Sequence, residues 1–259
     1  MAGLFVKRVG RGPRVVLLHG GVLAGELCWR QQLRLADRFA LEVVDRAGYG
    51  RSQQVSPGED LDADAPLVAG LLAGGAHLVG HSSGAVAAIL AAARRPGAVL
   101  SLTLCEPVAF QVAPGSAEAQ QMARGLERHL QATGDGAEWL RGFLAIVGRR
   151  VAVPDQLPPP MAQGVRAIRA VRRRPWEGEL PVGRLAAASF PTLVISGDHS
   201  PAFEAVCDAL TARLQAQRAH LPGAGHATPE TGDAFNKALE AFICTAPRRD
   251  PPRRAHLAT

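Results

Sequence analysis

Ser82 is the residue with the strongest local case for covalent chemistry. It sits in Gly80-His81-Ser82-Ser83-Gly84, between an apolar run from Ala76 and an alanine-rich stretch from Ser83 to about Arg95. A buried strand that turns at once into a helix needs a sharp corner. Glycines two before and two after the serine remove Cβ atoms that would collide there. The corner lifts the Ser82 hydroxyl past the end of the sheet. It also aims the Ser83 N–H, at the positive end of the new helix, at the same spot. Gly-x-Ser-x-Gly is common by chance; its strand–turn–helix setting is what favours a nucleophile over an ordinary turn serine.

Two other segments deliver polar groups from strand ends. Arg14–Leu18 reads as a strand running into His19-Gly20-Gly21-Val22, whose backbone N–H groups can approach a ligand closely or simply form a glycine turn. Val99–Cys105 reads as a buried strand that stops at Glu106-Pro107. Further strands are expected at Leu4–Val9, Ala40–Val44, Pro191–Ser196 and Arg218–Leu221. Helical patterns are expected at Glu26–Arg38, Pro66–Ala73, Ala202–Gln215 and Thr231–Ile243. Strands alternating with helices at these lengths imply a mostly parallel sheet covered on both faces, with ligands at the carboxyl ends of the strands. His19, Ser82 and Glu106 all fall at such ends.

Residues 110–190 differ in character. Helical patterns at Ser116–Thr133, Ala137–Arg149 and Met161–Arg174, broken by Pro154 and Pro158-Pro-Pro160, predict an inserted helical cap over the strand ends. It would divide an α/β core into residues 1–109 and 191–244. Trp139, Phe143, Leu144, Ile146, Val147, Met161, Val165 and Ile168 are its apolar candidates, most of them cap core and the rest pocket lining. Arg166, Arg169 and Arg173 share one helical face, read as solvated in preference to an entrance for anions. Residues 245–259, rich in proline and arginine, are expected to be a disordered basic tail.

The 259 residues carry a formal net charge of +6, which raises nucleic-acid binding as a class. Much of the excess lies in Arg172–Arg174 and the tail, with no interleaved aromatic side chains to stack bases, so no nucleic-acid partner is expected. No apolar run approaches the ~20 residues of a membrane span. The N-terminal residues lack a signal-peptide pattern, so a cytoplasmic location is the default expectation. Cys28, Cys105, Cys207 and Cys244 form no Cys-x-x-Cys pair and are expected as free thiols. The histidines and carboxylates lack metal-ligand spacing, and no phosphate loop is present, so neither metal nor cofactor is expected.

Taken in order, His19-Gly20-Gly21, Asp45-x-x-Gly48-x-Gly50-x-Ser52, Gly80-His-Ser-Ser-Gly84, Pro191–Gly197 and Gly223-x-Gly225-His226 resemble the α/β-hydrolase superfamily, outside the cap and tail. The resemblance implies Ser82 as nucleophile and His226 as general base. It also implies the N–H groups of Gly21 and Ser83 as oxyanion donors, His81 as a turn residue and His19 as a loop brace. A serine hydroxyl needs an imidazole to take its proton, and two fixed N–H donors would stabilise the tetrahedral oxyanion. The acid departs from the pattern. Many relatives have Gly-x-x-Asp after the penultimate strand, where this chain has Ser200. Glu106 and Asp198 are the substitutes, Glu106 being preferred because haloalkane dehalogenases of the same fold place an acid there.

The expected activity is hydrolysis of an ester, lactone or thioester of a small to medium apolar acyl substrate through an acyl-enzyme. A serine nucleophile argues against dehalogenase and epoxide hydrolase chemistry. The alternatives are a cofactor-free perhydrolase, a carbon–carbon bond hydrolase, and a non-catalytic ligand-binding protein of the same fold. A homodimer is a further possibility.

Overall fold

The computed structural model describes residues 3–149 and 151–246. Seven strands form one sheet: β1 (Val6–Val9), β2 (Arg14–Leu18), β3 (Ala40–Val44), β4 (Ala76–His81), β5 (Val99–Cys105), β6 (Thr192–Ser196) and β7 (Gln217–His220). Their spatial order is β1-β3-β2-β4-β5-β6-β7. Only β1 runs antiparallel to its neighbour; every other pairing is parallel.

The inner strands are apolar runs because both of their faces are covered. Successive side chains point to opposite faces. Val16 and Leu18 thus join one core, with Leu78, Leu104 and Val194, while Val15 and Leu17 join the other, with Val79, Cys105 and Ile195. The register aligns Leu18 with Gly80, Gly80 with Leu104 and Leu104 with Val194. His19, Ser82, Glu106 and Gly197 therefore emerge at nearly the same level along one rim of the sheet.

The helices are α1 (Gly25–Cys28), α2 (Leu61–Leu71), α3 (Ser83–Arg94), α4 (Ala117–Leu130), α5 (Gly136–Ile146), α6 (Pro159–Arg169), α7 (Val182–Ala186), α8 (Pro201–Leu214) and α9 (Asp233–Thr245). Helices α2 and α3 cover one face together with α8, and α9 covers the other. Between β5 and β6 the chain inserts α4 to α7, with no strand among the described residues.

Three local expectations need correction. The span Glu26–Arg38 is not one helix but the single turn α1 and a 3-10 segment, Gln32–Asp37. Gln32 is buried and donates to Pro229 O and Asn236 Oδ1, so a contact to the far end of the chain fixes this stretch. Helix α2 starts five residues before Pro66, because Asp60 caps the N–H groups of Asp62 and Ala63. Pro159 and Pro160 open α6 rather than break it, occupying its first turn, where a missing N–H costs nothing. The disordered tail is expected from residue 245, but Thr245 ends α9 and Ala246 is buried; residues 247–259 lie outside the described residues.

Candidate active site

The corner between β4 and α3 holds Ser82 at φ 56° and ψ −122°, a conformation side-chain-bearing residues rarely adopt. It forms because the surrounding backbones pass without Cβ atoms. A Cβ on Gly80 would lie 2.4 Å from Gly84 O, and one on Gly84 would lie 2.2 Å from His19 O. The Ser82 N–H donates to Cys105 O at 2.9 Å, tying the corner to the next strand.

After β7 the chain turns through Gly223 and Gly225, both at positive φ, and returns His226 to this rim. Its Nε2 lies 3.0 Å from Ser82 Oγ and its Nδ1 lies 3.2 Å from Glu106 Oε2. An ionised carboxylate only accepts, so Nδ1 carries the ring proton and Nε2 is free to accept from the serine. Glu106 is fully buried at φ 47°, and its Oε1 accepts the Gly197 N–H at 2.6 Å. Asp198, the other candidate acid, is exposed and forms no hydrogen bond to His226.

Histidines frame this row. His81 donates from Nε2 to the His226 carbonyl at 2.8 Å, bracing the loop. His19 accepts the Arg46 N–H at Nε2 (2.9 Å) and donates from Nδ1 to Gly20 O. His199 was not foreseen as part of the site. Its Nδ1 lies 3.7 Å from Glu106 Oε2 and its Nε2 donates to Val147 O at 3.2 Å. Burial pushes the Glu106 carboxyl up to about 7, against the opposing pull of the Gly197 N–H and His199. Burial, helped by the charges of His199 and Arg149, pushes His226 down to about 3. Each group is thus biased toward its neutral form.

Among the described residues, neither the Gly21 nor the Ser83 N–H donates to a protein acceptor. Helix α6 presses on the first of these amides. A Cβ on Gly21 would lie 2.7 Å from Ile168 Cδ1, and one on Gly164 would lie 2.0 Å from Val22 O. Val22 itself is held at φ 71°, a strained value for a β-branched residue.

A family model described as the alpha/beta hydrolase family matches residues 15–238. The chain belongs to the alpha/beta hydrolase family. Its likeness to a pimeloyl-[acyl-carrier protein] methyl ester esterase of Methylococcus capsulatus is 38% identity over 152 residues, covering 56% of each chain. A polyketide synthase, ThaQ of Burkholderia thailandensis, is 34% identical over 260 residues, covering 92% of this chain and 12% of that protein. The chain therefore spans about half, or far less, of these curated relatives. Among solved structures, a thermophilic esterase from Thermogutta terrifontis superposes with a TM-score of 0.69 at 26% identity, covering 93% of each chain.

In this chain Ser82 and Gly21 line both of two neighbouring pockets, the arms of one site. The first arm is lined by Val22, Leu140, Phe143, Leu144 and Met161 together with His226. Arg149 and Glu230 close one side of it through a 2.6 Å ion pair. The second arm is lined by Leu126, Leu130, Ile168, Val171 and Trp176, with Glu59 and Ser83. Of the eight apolar side chains singled out in the insertion, Phe143, Leu144, Val147, Met161 and Ile168 face these arms. The arginine face is partly engaged: Arg169 lies over the Trp139 ring and Arg173 pairs with Asp62.

Behind the second arm lies a buried polar cluster that sequence reasoning missed. Arg46 is fully buried and contacts Asp64 at 2.9 Å, Ser83 Oγ at 3.0 Å and Glu59 at 3.4 Å. Its contacts reach across 13 to 37 positions in the chain, so no spacing rule could reveal them. Glu106, His199 and His226 are close enough to share a metal ion. The hydrogen bonds linking Ser82, His226 and Glu106 already occupy their facing atoms.

Proposed function

We propose that this hydrolase cleaves an ester, lactone or thioester of a small to medium apolar acyl compound through an acyl-enzyme on Ser82. The observation that carries this is the unbroken row Ser82 Oγ, His226 and Glu106, at 3.0 and 3.2 Å, opening onto apolar walls. Ser82 Oγ attacks the carbonyl carbon while His226 Nε2 takes its proton. Glu106 holds the imidazole in the Nδ1–H tautomer and offsets the imidazolium charge that forms. The N–H groups of Gly21 and Ser83 receive the tetrahedral oxyanion, each typically worth ~3–4 kcal/mol. Collapse expels the alcohol or thiol, protonated by His226. A water deprotonated at Nε2 then releases the acid and restores the serine. Helices α4 to α6 act as the cap that keeps bulk water from the acyl-enzyme.

The names of the pimeloyl-[acyl-carrier protein] methyl ester esterase and of the thermophilic esterase support ester hydrolysis here. Labelling with a fluorophosphonate followed by peptide mapping tests the proposal. The expected result is one adduct on Ser82, lost in Ser82→Ala together with p-nitrophenyl butyrate turnover while the fold persists. Unchanged turnover in that variant would refute the assignment.

A further inference from the structure

Glu59 is out of keeping with the arm it lines. Its neighbours there, Leu126, Leu130, Val171 and Trp176, are apolar, and its side chain is only 4% exposed. Oε2 is well supplied with donors: the Tyr49 hydroxyl at 2.7 Å, the Ser83 hydroxyl at 3.3 Å and Arg46 Nη1 at 3.4 Å. Oε1 has no protein partner among the described residues.

Arg46 alone does not account for this carboxylate. Its Nε and Nη2 both lie 2.9 Å from Asp64 Oδ2, so the guanidinium already has a counter-ion. Two carboxylates around one guanidinium leave an excess negative group when all are ionised. Oε1, which is not among the side-chain atoms sealed from solvent without a partner, is the atom left for a further donor. The backbone fixes where that donor must come from. Glu59 N–H donates to Ala167 O at 2.9 Å and its carbonyl accepts the Arg172 N–H, so the residue is clamped between core and insertion. Its carboxylate also touches Ser83, the residue next to the proposed nucleophile.

We propose that the second arm is a subsite for a hydrogen-bond donor on the substrate, a hydroxyl or an ammonium within a few bonds of the scissile carbonyl, received by Glu59 Oε1. The inference rests on the ester hydrolase proposed above and narrows its substrate class. A site built to meet a donor leaves its own polar atom unpaired with an analogue that lacks one, and so discriminates against that analogue. The same carboxylate repels a substrate chain ending in a carboxylate.

Isosteric substrate pairs test this in the wild-type protein by pH-stat. Ethyl 3-hydroxybutanoate is compared with ethyl 3-methylbutanoate, placing the donor on the acyl side. The ester of butanoic acid with 2-(dimethylamino)ethanol is compared with 3-methylbutyl butanoate, placing it on the alcohol side. The donor member of at least one pair is expected to show roughly tenfold higher kcat/KM or more. Glu59→Leu should abolish that preference, and Glu59→Gln should weaken the ammonium preference more than the hydroxyl one. Equal rates within both wild-type pairs would overturn the subsite, as would an undiminished preference in folded Glu59→Leu. Should neither variant fold, the wild-type pairs still decide. Failure of every ester, with no phosphonate adduct on Ser82, would instead bring down the hydrolase proposal.

Discussion

In the proposed mechanism the protonation of Glu106 sets the pH at which the site works. His226 accepts from Ser82 only while Nδ1 holds the ring proton, and Nδ1 keeps it only against an ionised Glu106. A protonated Glu106 would donate to Nδ1 and turn the ring into the tautomer that cannot take the serine proton. Burial raises the Glu106 carboxyl from 4.5 to about 7, a cost of about 3 kcal/mol to the ionised form. His226, held down to about 3, stays neutral across the working range. The acid limb of kcat/KM therefore belongs to the glutamate. It should have its midpoint near pH 7 and fall about tenfold per pH unit below it. The groups around Glu106 set the direction of further shifts. His199 and Arg218 favour the ionised form and Glu204 opposes it, so His199→Gln should move the limb to higher pH. The assay is the initial rate on a neutral ester from pH 5 to 9, repeated for Glu106→Gln. In that variant the residual rate should be flat down to about pH 5. A limb near pH 7 that survives in Glu106→Gln would show that the imidazole titrates there, and would refute the tautomer argument.

Three further outcomes follow from contacts elsewhere. Glu106→Gln should lower kcat about 10³- to 10⁴-fold, whereas Asp198→Asn should stay near the wild-type rate; the reverse order would reassign the acid. Gly164→Ala puts a Cβ 2.0 Å from Val22 O, next to Gly21, so the Gly21–Val22 loop should shift and kcat fall roughly 10- to 100-fold, with a smaller change in KM. An unchanged kcat would mean that α6 yields instead of the loop. Stability should fall as pH drops below 6.5. His19, His81 and His226 are held near 3 and His77 near 4 by burial, so the unfolded chain binds more protons in that range. Glu106 and Asp64, both raised in the folded state by burial, work against this loss without reversing it. A melting temperature equal at pH 7 and pH 5 would contradict it.

The parts of this fold that sequence makes legible are those determined locally. The inner strands β2 to β6 are apolar runs ended by glycine, proline or a polar residue, and the Ser82 corner is written in two glycines whose Cβ atoms have no room. The segment after Val22 is not determined locally: Gln32 finds its partners about 200 positions away, which overrides a weak helical pattern. The start of α2 was hidden by Pro66, although Asp60 carried the capping signal. Within the site, the residue types at 82, 106 and 226 suggest a chemistry, but their distances exist only in the assembled sheet. His199 and the Arg46 cluster gave no signal, because adjacent positions such as Asp198 and His199 differ only in which way the turn after β6 aims them.

That turn also bears on how the proposed mechanism dispenses with an acid at position 200. Strands β5 and β6 are adjacent and parallel, with Cys105 paired to Ile195. The residues just past their ends, Glu106 and Gly197, therefore sit side by side, and a carboxylate from either strand can reach the same imidazole. On β6 the turn places Asp198 at φ 52° and exposed, while Ser200 precedes α8 in an extended conformation with no side-chain capping hydrogen bond. On β5 the same left-handed strain appears at Glu106, at φ 47°, where it is stabilised by the Gly197 N–H on its Oε1 and by its own N–H to Ile195 O. The neighbouring strand thus supplies the backbone donor that a carboxylate on that strand would otherwise have replaced. The left-handed backbone at Glu106 costs on the order of 1–3 kcal/mol, and two hydrogen bonds in a dry site are enough to hold it there.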